Sequence, residues 1–347
     1  MKKNLLKTGA LCMTLLMLPI TNLVKASELN TSANSNIYEK YTNIDLQCLD
    51  LDIVEDSLII NNDYDKFNRE FASPTITNFN LDPKISATNS NGIIELNALQ
   101  KLLADNPQLE KQIVDNIKNG NEVIAVSSKE VYVEETYNPE TDSVESRLLT
   151  IEEVNELNNK NSVQPGQPGG NGKLTLNSIL VANPSLVGYA NTYSLSTTAS
   201  WDLSRWNNDG YQYPATGDDF IGFTWPSSYS YCGRSSMEGT YYNSSDPIKF
   251  YMTSINGNGG MAYGFTDVKS LSHINLGAGD INGFAHIAPS DTSASYKTFS
   301  SEYIHTYEKT EGSLSLEINP DGVSTTITLS NVEKQWTAVS PVTAYVK

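Results

Sequence analysis

The chain has 347 residues and carries 40 Asp and Glu against 23 Lys and Arg, a formal net charge of -17. So acidic a surface repels nucleic acid and anionic bilayers, which argues against both as partners. The length predicts two domains with a sizeable core. The absence of a CxxC pair excludes the common cysteine-based zinc motifs and the thioredoxin-type redox motifs.

The first 26 residues, 1–26, are predicted to be a secretory signal peptide. Three lysines stand ahead of an apolar run at 11–20, and Ala26 supplies the small residue before a cleavage site. The mature chain is expected to start near Ser27 and to be secreted, either released or loosely associated with the cell wall. No later stretch is long and apolar enough to predict a transmembrane segment.

Cys48 and Cys232 remain once the signal is removed. In an oxidising compartment they can form one bridge, but their separation in sequence fits two independent thiols equally well. The sequence leaves the pairing open.

Residues 27–90 are rich in Asn, Asp, Ser and Thr, and no fold is assigned to them. Residues 91–159 predict a small α+β module. Two short helices are expected before Gly120, followed by a strand with Val131, Val133 and Thr136 in alternation and a hairpin partner at 143–149. Thr150 and Glu153 match a capping box that begins a further helix.

Residues 160–173 are predicted to be a linker. The run NSVQPGQPGGNG cannot nucleate a helix and offers few side chains for a strand to pack. Exposed stretches of this composition are also favoured cleavage sites. The segment is therefore interpreted as an interdomain tether, with the end of a propeptide as the alternative.

Residues 174–347 predict an antiparallel β-sandwich, because short strand patterns alternate with turns throughout. The predicted strands are 174–182, 187–201, 219–225, 248–254, 261–266, 283–287, 301–307, 313–318, 323–329 and 339–346. The Asn-Pro-Asp-Gly turn at 319–322 is the sharpest hairpin pattern. A closed barrel is the architectural alternative. The expected fold is mainly β, with the small α+β region ahead of the sandwich.

The order of features in 174–347 resembles a group of uncharacterised secreted proteins of spore-forming Gram-positive bacteria. The features are a strand ending in Trp201-Asp202, an Asp218-Asp219 pair leading to Trp225, Tyr303-Ile304-His305, a Ser/Leu hairpin and a terminal aromatic strand. The segment Cys232-Gly233-Arg234-Ser235-Ser236 departs from that pattern. The resemblance implies secretion and an all-β C-terminal domain, and implies nothing about chemistry.

The histidines His273, His286 and His305 each fall in or beside a different predicted strand. Their spacings match no HExxH or HxH motif, so no shared metal site and no cofactor are expected. His305 stands between Tyr303 and Tyr307 at two-residue spacing, which predicts one aromatic face of a strand.

A hydrolase interpretation takes Ser235 or Ser236, beside Arg234, as the nucleophile and His286 or His305 as the base. No GxSxG elbow surrounds these serines. A cysteine nucleophile at Cys232 is a similar alternative without a supporting motif.

The loop at 202–219 is the favoured ligand site, because its aromatic residues leave the strand alternation and stand among turn residues and carboxylates. The predicted ligand-binding residues are Trp206, Asp209, Tyr211, Tyr213, Asp218 and Asp219. Trp201 and Trp225, which end predicted strands, are expected to fill the core instead. The leading hypothesis is a secreted, non-catalytic protein that binds a glycan or another surface component, such as one of the cell wall.

Two other functions stay open. One is a secreted hydrolase that uses the same aspartates and aromatic residues. The other is a toxin-like β protein, because Ser/Thr-rich alternating strands such as Leu195 to Trp201 and Val323 to Leu329 also occur in pore-forming hairpins. Retention without turnover, product release and membrane leakage distinguish the three.

Overall fold

Two antiparallel sheets that pack face to face make up most of the protein in the computed structural model. The structure describes residues 37–47, 49–54, 57–62, 96–138, 140–141, 143–159, 169–182, 191–206, 217–270, 275–291, 293–307, 313–318, 325–330 and 332–346. The predicted signal peptide, Cys48 and His273 lie outside these residues, so the predictions about them are not tested.

The larger sheet, sheet A, has eight strands in the order β1-β4-β6-β7-β13-β12, with β5 also paired to β4 and β9 also paired to β13. Its strands are β1 (Glu39–Asp45), β4 (Glu122–Asn138), β5 (Ser143–Leu148), β6 (Gly169–Ala182), β7 (Tyr193–Trp206), β9 (Tyr229–Tyr241), β12 (Val268–Ser270) and β13 (Asn275–Pro289). Every pairing between them is antiparallel.

The smaller sheet, sheet B, has five antiparallel strands in the order β10-β11-β8-β14-β17. They are β8 (Asp219–Thr224), β10 (Phe250–Asn256), β11 (Gly260–Phe265), β14 (Ser295–Thr306) and β17 (Gln335–Val346). Two separate hairpins complete the strands: β2 (Leu49–Val54) with β3 (Ser57–Asn62), and β15 (Ser313–Ile318) with β16 (Thr325–Ser330).

The main core lies between the two sheets. Trp201 of sheet A and Phe223, Phe299 and Tyr303 of sheet B are among its buried side chains. Period-2 alternation explains the arrangement, since Ile221 and Phe223 of β8 belong to this core whereas Phe220 belongs to the cluster on the other face. The prediction of a mainly β fold with an antiparallel sandwich is confirmed.

Additional layers cover the outer faces. The helices α1 (Leu96–Ala104) and α2 (Pro107–Lys118) pack Leu99, Leu109 and Ile113 against Val126 and Ile179 of sheet A. The β15–β16 hairpin packs Ile327 and Leu329 against Ala262 and Ile304 of sheet B. The helices and the hairpin each have one apolar face in their sequence, and each packs this face against a sheet.

Several local predictions are confirmed. Proline opens α2, and Gly120, just past its end, has a φ of 76°. The third helix, α3 (Ile151–Asn159), begins with the expected capping box: Thr150 N donates to Glu153 Oε2 at 2.8 Å, and Glu153 N donates to Thr150 Oγ1 at 3.3 Å. The β15–β16 hairpin forms, and the predicted turn at 319–322 lies outside the described residues.

The boundary predicted at 160–173 does not separate two sheets. β6 already begins at Gly169, and it pairs with β4 on one side and with β7 on the other. The predicted module at 91–159 and the predicted sandwich at 174–347 therefore share sheet A, within one compact unit from Asn36 to Lys347. A glycine-rich start does not prevent pairing, because ladder hydrogen bonds use only the backbone.

Two other predictions missed strands. The polar segment 27–90 contributes β1, β2 and β3, and the segment around Cys232 to Ser236 belongs to β9. Most side chains of β9 are half-buried or exposed, and Gly233 has a φ of 76°, so no clean alternation marks the strand. In β4, the buried position after Val131 and Val133 is Glu135, whereas Thr136 is exposed.

The side chain of Asn43 in β1 also contacts the backbone of β17, the last strand that the structure describes. Thr343 N of β17 donates to Asn43 Oδ1 of β1 at 2.9 Å, and Asn43 Nδ2 donates to the Thr343 carbonyl at 3.3 Å. The Asn43 side-chain amide thus accepts and donates hydrogen bonds at the edge of sheet B, as the peptide group of a neighbouring strand would. None of the helices in the described part of the chain has the length and apolar character needed to span a bilayer.

Candidate functional site

A cleft of about 420 Å³ opens where β9 ends beside β13. Small-molecule sites generally fall at about 300–1,000 Å³, so this cleft is large enough to hold a ligand. Its lining consists of three aromatic residues, several small polar residues, one glycine and one carboxylate: Trp201, Thr240, Tyr241, Tyr242, Asn243, Ser244, Ser245, Gly279 and Asp280.

A tight turn after β9 shapes one wall of the cleft. Ser244 N donates to the Tyr241 carbonyl at 3.0 Å, and Asn243 adopts a φ of 52°, a conformation that asparagine tolerates better than most residues. The turn lies directly on β13, because a Cβ at Gly279 would be 2.8 Å from Tyr242 N. Only glycine permits this approach.

An irregularity in the β9–β13 pairing presents the acidic group of the cleft. The register shifts between Ala278 and Ile281, at the position of Gly279 and Asp280. Asp280 is exposed, and its Oδ1 accepts a hydrogen bond from Ser200 Oγ at 2.8 Å. Burial raises the pKa of the Tyr242 hydroxyl, and the nearby carboxylates of Asp202 and Asp280 raise it further. The cleft is therefore polar and negatively charged.

Trp201 connects this cleft to the interior of the sandwich. Its indole Nε1 donates to the Tyr303 hydroxyl at 3.0 Å, and that hydroxyl donates to Asp219 Oδ2 at 2.6 Å. The Trp201 ring also packs edge-on against Trp336, with ring centroids 5.9 Å apart. Its orientation is thus fixed by both a hydrogen bond and aromatic packing.

A buried polar cluster lies behind Trp201. Asp219 accepts hydrogen bonds from Tyr303 and from Thr306 N, and His305 Nδ1 lies 3.0 Å from each of its oxygens. On the other side of the imidazole, Glu135 Oε1 lies 3.0 Å from Nε2. Asp267 Oδ2 is 4.0 Å from Nδ1. Three carboxylates thus surround one histidine, an arrangement that can hold a proton or a cation.

Burial and charge shift the pKa values in this cluster. Burial alone would lower the pKa of His305, but the Asp219 and Glu135 carboxylates outweigh it and hold the pKa well above the usual range. Burial and the Asp219 charge raise the pKa of Asp267 well above its usual range. The neighbouring carboxylates thus favour the charged form of the imidazole, and burial together with the Asp219 charge favours the protonated form of Asp267.

The structure separates the predicted ligand-binding residues. Asp219 is fully buried, so it cannot contact a ligand at the surface. Asp218 is exposed and accepts hydrogen bonds from Tyr251 at 2.6 Å and from Thr266 at 3.0 Å. Trp206 is the last residue of β7 rather than part of a loop, and its side chain is not described. Asp209, Tyr211 and Tyr213 lie outside the described residues.

The assignment of Trp201 and Trp225 to the core is confirmed, with exposed fractions of 8% and 1%. Trp201 nevertheless also lines the cleft, which sequence reasoning did not predict.

The residues of the hydrolase interpretation do not form a triad in the described structure. Ser235 Oγ hydrogen-bonds to the hydroxyls of Tyr231 and Tyr263, at 2.9 and 2.8 Å, instead of to a histidine. His286 is buried, and its Nδ1 has no hydrogen-bond partner among the described residues. Cys232 forms no disulfide among the described residues, and burial raises the pKa of its thiol, opposite to the shift that activates a nucleophile.

Sequence reasoning missed Glu135, Asp267 and the turn at Tyr242. For Glu135 a pattern existed, because it continues the buried alternation of Val131 and Val133. No protein-family model matches the chain, and a search of curated proteins returned no match.

Proposed function

We propose that this protein binds a neutral or cationic saccharide, or a similar polyhydroxylated ligand of a cell surface, in the cleft at Trp201, Tyr242 and Asp280, without catalysis. The observation that carries the proposal is the composition of the cleft. Aromatic rings provide flat apolar surfaces for sugar rings, and hydroxyl, amide and carboxylate groups provide partners for sugar hydroxyls. The proposal includes secretion, which the N-terminal sequence predicts.

Charge narrows the class of ligand. Asp280 lines the cleft, and the negative charge of the nearby Asp202 raises the pKa of Tyr242. An acidic polysaccharide would place its carboxylates or sulfates close to these groups, at a cost in free energy. Neutral and amino sugars avoid that repulsion.

The lining also favours binding over hydrolysis. Asp280 is the only carboxylate among the described residues that line the cleft. Glycoside hydrolysis generally uses a pair of carboxylates on opposite sides of the scissile bond. Asp209, Tyr211 and Tyr213 follow β7 closely in sequence. That they also contact the ligand remains a prediction from the sequence.

The test is retention on an array of cell-wall, plant and host glycans, followed by affinity measurements on any saccharide that is retained. We expect Tyr242→Ala to weaken binding tenfold or more, because a stacking residue at a binding site contributes about 1–3 kcal/mol. Asp280→Asn should keep the shape of the cleft and reduce the preference for neutral and amino sugars over acidic ones.

Tyr296→Ala is the matched control, since Tyr296 is an exposed aromatic residue of β14 that pairs with Tyr345 instead of lining the cleft. This variant should bind like the wild type. If the wild type is retained by no saccharide on the array, or if Tyr242→Ala and Tyr296→Ala lose binding equally, the proposal is wrong.

A further inference from the structure

The polar cluster around His305 carries more negative charge than its own residues can balance. Asp219, Asp267 and Glu135 are exposed by 0%, 6% and 3%, and His305 by 2%. With all three carboxylates ionised, even a charged imidazole would leave two negative charges inside the sandwich. Burying unbalanced charge is costly, so the site needs protons or a cation.

The donor atoms converge as the ligands of a metal ion do. One atom from each of Asp219, Asp267 and His305 lies within 4.8 Å of the other two. The ligands of a tetrahedral ion at about 2.0–2.2 Å stand about 3.3–3.6 Å apart. The measured separations from His305 Nδ1, 3.0 Å to Asp219 and 4.0 Å to Asp267, bracket that spacing.

The far side of the imidazole provides an independent observation. His305 Nε2 is buried and has no assigned hydrogen-bond partner among the described residues, and Glu135 Oε1 lies 3.0 Å from it. A histidine that ligates a metal through one nitrogen usually donates its other N–H to a carboxylate or carbonyl. Glu135 stands where that second partner is needed.

From this geometry we propose that Asp219, Asp267 and His305 Nδ1 bind a divalent transition-metal cation, with Zn²⁺ the best match, and that Glu135 orients the imidazole. The mixed nitrogen and carboxylate donors suit Zn²⁺ or Mn²⁺. Ca²⁺ and Mg²⁺ prefer sets of oxygen ligands and larger coordination numbers, so they fit this site poorly. The proposed metal site does not require that the cleft binds a saccharide.

Binding displaces the proton of His305 Nδ1 and any proton on Asp267, and both go to solvent. Asp219 keeps the hydrogen bonds from Tyr303 and Thr306 N while it ligates the ion. The ion then joins three separate segments: β8 at Asp219, the turn after β11 at Asp267, and β14 at His305.

The experiment uses the full chain, treated with a chelator, dialysed, and titrated with Zn²⁺, Mn²⁺, Ca²⁺ or Mg²⁺. Calorimetry in two buffers of different ionisation enthalpy measures stoichiometry and proton release, and thermal unfolding measures stabilisation. We expect one Zn²⁺ per chain, release of protons, and a higher melting temperature with Zn²⁺ or Mn²⁺ but not with Ca²⁺ or Mg²⁺.

Asp267→Asn is the least disruptive ligand variant, because Asp267 is the most exposed of the three. It should fold and lose at least tenfold in Zn²⁺ affinity. Asp218→Asn, at the exposed neighbour of Asp219, and His286→Gln, at the other buried histidine, should bind like the wild type. The proposal is overturned if the wild type binds no Zn²⁺ or Mn²⁺, if Ca²⁺ stabilises it equally, or if Asp267→Asn retains full affinity.

Discussion

The indole of Trp201 and the hydroxyl of Tyr303 meet across the sandwich at 3.0 Å, which joins the wall of the surface cleft on sheet A to the buried Asp219 carboxylate of sheet B. The Tyr303 hydroxyl uses both of its hydrogen-bonding capacities, since it accepts from Trp201 and donates to Asp219. This one oxygen therefore supports both the position of Trp201 and the charge on Asp219.

Removing the Tyr303 hydroxyl oxygen should lower the stability of the folded protein. Tyr303→Phe leaves the buried Trp201 N–H without its acceptor and removes one hydrogen bond from Asp219 Oδ2, which keeps His305 as a partner, so we expect a loss of about 1–3 kcal/mol in unfolding free energy. Chemical denaturation measures it. Tyr263→Phe is the control, because the Tyr263 hydroxyl meets Ser235, which keeps Tyr231 as a partner. Equal losses in the two variants would contradict the role assigned to Tyr303.

Gly222 should not tolerate a side chain. A Cβ there would lie 2.4 Å from the Met261 carbonyl oxygen, which is backbone, and 2.4 Å from Ile327 Cδ1 of the hairpin over sheet B. We expect Gly222→Ala to destabilise the protein by about 1–3 kcal/mol, as overpacking generally does. Gly257→Ala, where nothing lies within 4 Å, should be close to neutral. Thermal unfolding of both variants tests this prediction, which is wrong if the two variants have equal melting temperatures.

Glu302 should make the stability depend on pH. Burial raises the pKa of its carboxyl to about 7, although Ile327 N and the Thr224 hydroxyl donate to it at 3.1 and 3.2 Å. The described groups that contact the carboxyl are neutral. Between the usual glutamate pKa of 4.5 and about pH 7, the folded protein holds a proton on Glu302 that the unfolded chain has released. Stability should therefore fall as pH rises through this window, by about 3 kcal/mol at most.

Glu302→Gln tests this dependence. The amide oxygen can accept from Ile327 N, the amide nitrogen can donate to the Thr224 hydroxyl oxygen, and the side chain has no proton to lose. The variant should lose the part of the decline that Glu302 contributes, while the buried Asp267 and His305 keep theirs, and it should be more stable than the wild type at pH 8. Glu238→Gln, at an exposed position of β9, should keep the wild-type profile. Identical profiles for Glu302→Gln and the wild type would show that Glu302 does not titrate in this window.

A single cut between residues 160 and 168 should not divide the protein into separate domains. β6 pairs with β4 from Gly169 to Ala182, so the chain on either side of the cut shares sheet A. With a specific protease site placed in 160–168, we expect two bands on a denaturing gel and one species in native size-exclusion chromatography. Separate elution of the two fragments under native conditions would instead support two independent domains.

The sequence was informative wherever a local rule determined the structure. Alternation identified most strands of sheet B, and the pair Thr150 and Glu153 identified the start of α3. The same rule marked Asp219, which lies on the face of β8 that holds Ile221 and Phe223, but a carboxylate beside turn residues was interpreted as a surface group. Its burial depends on partners 84 and 86 positions away, at Tyr303 and His305.

The parts that could not be predicted depend on pairing between distant segments. β9 has no clear period, and it is a strand because β13 offers it a backbone ladder. The cleft exists because the turn at Tyr242 rests on Gly279. Neither contact leaves a pattern within one window of sequence.

The pairing of Asn43 with Thr343 joins residues 300 positions apart, so it sets the order in which the protein can be completed. A chain that is synthesised from its amino terminus presents β1 first and β17 last. The edge of the sandwich therefore cannot close until nearly all of the chain has left the ribosome. Folding must then wait for synthesis to end, and long-range β pairing is slow, commonly milliseconds to seconds. A truncation that removes β17 should therefore leave Asn43 and the whole edge of β14 exposed in a chain prone to aggregate.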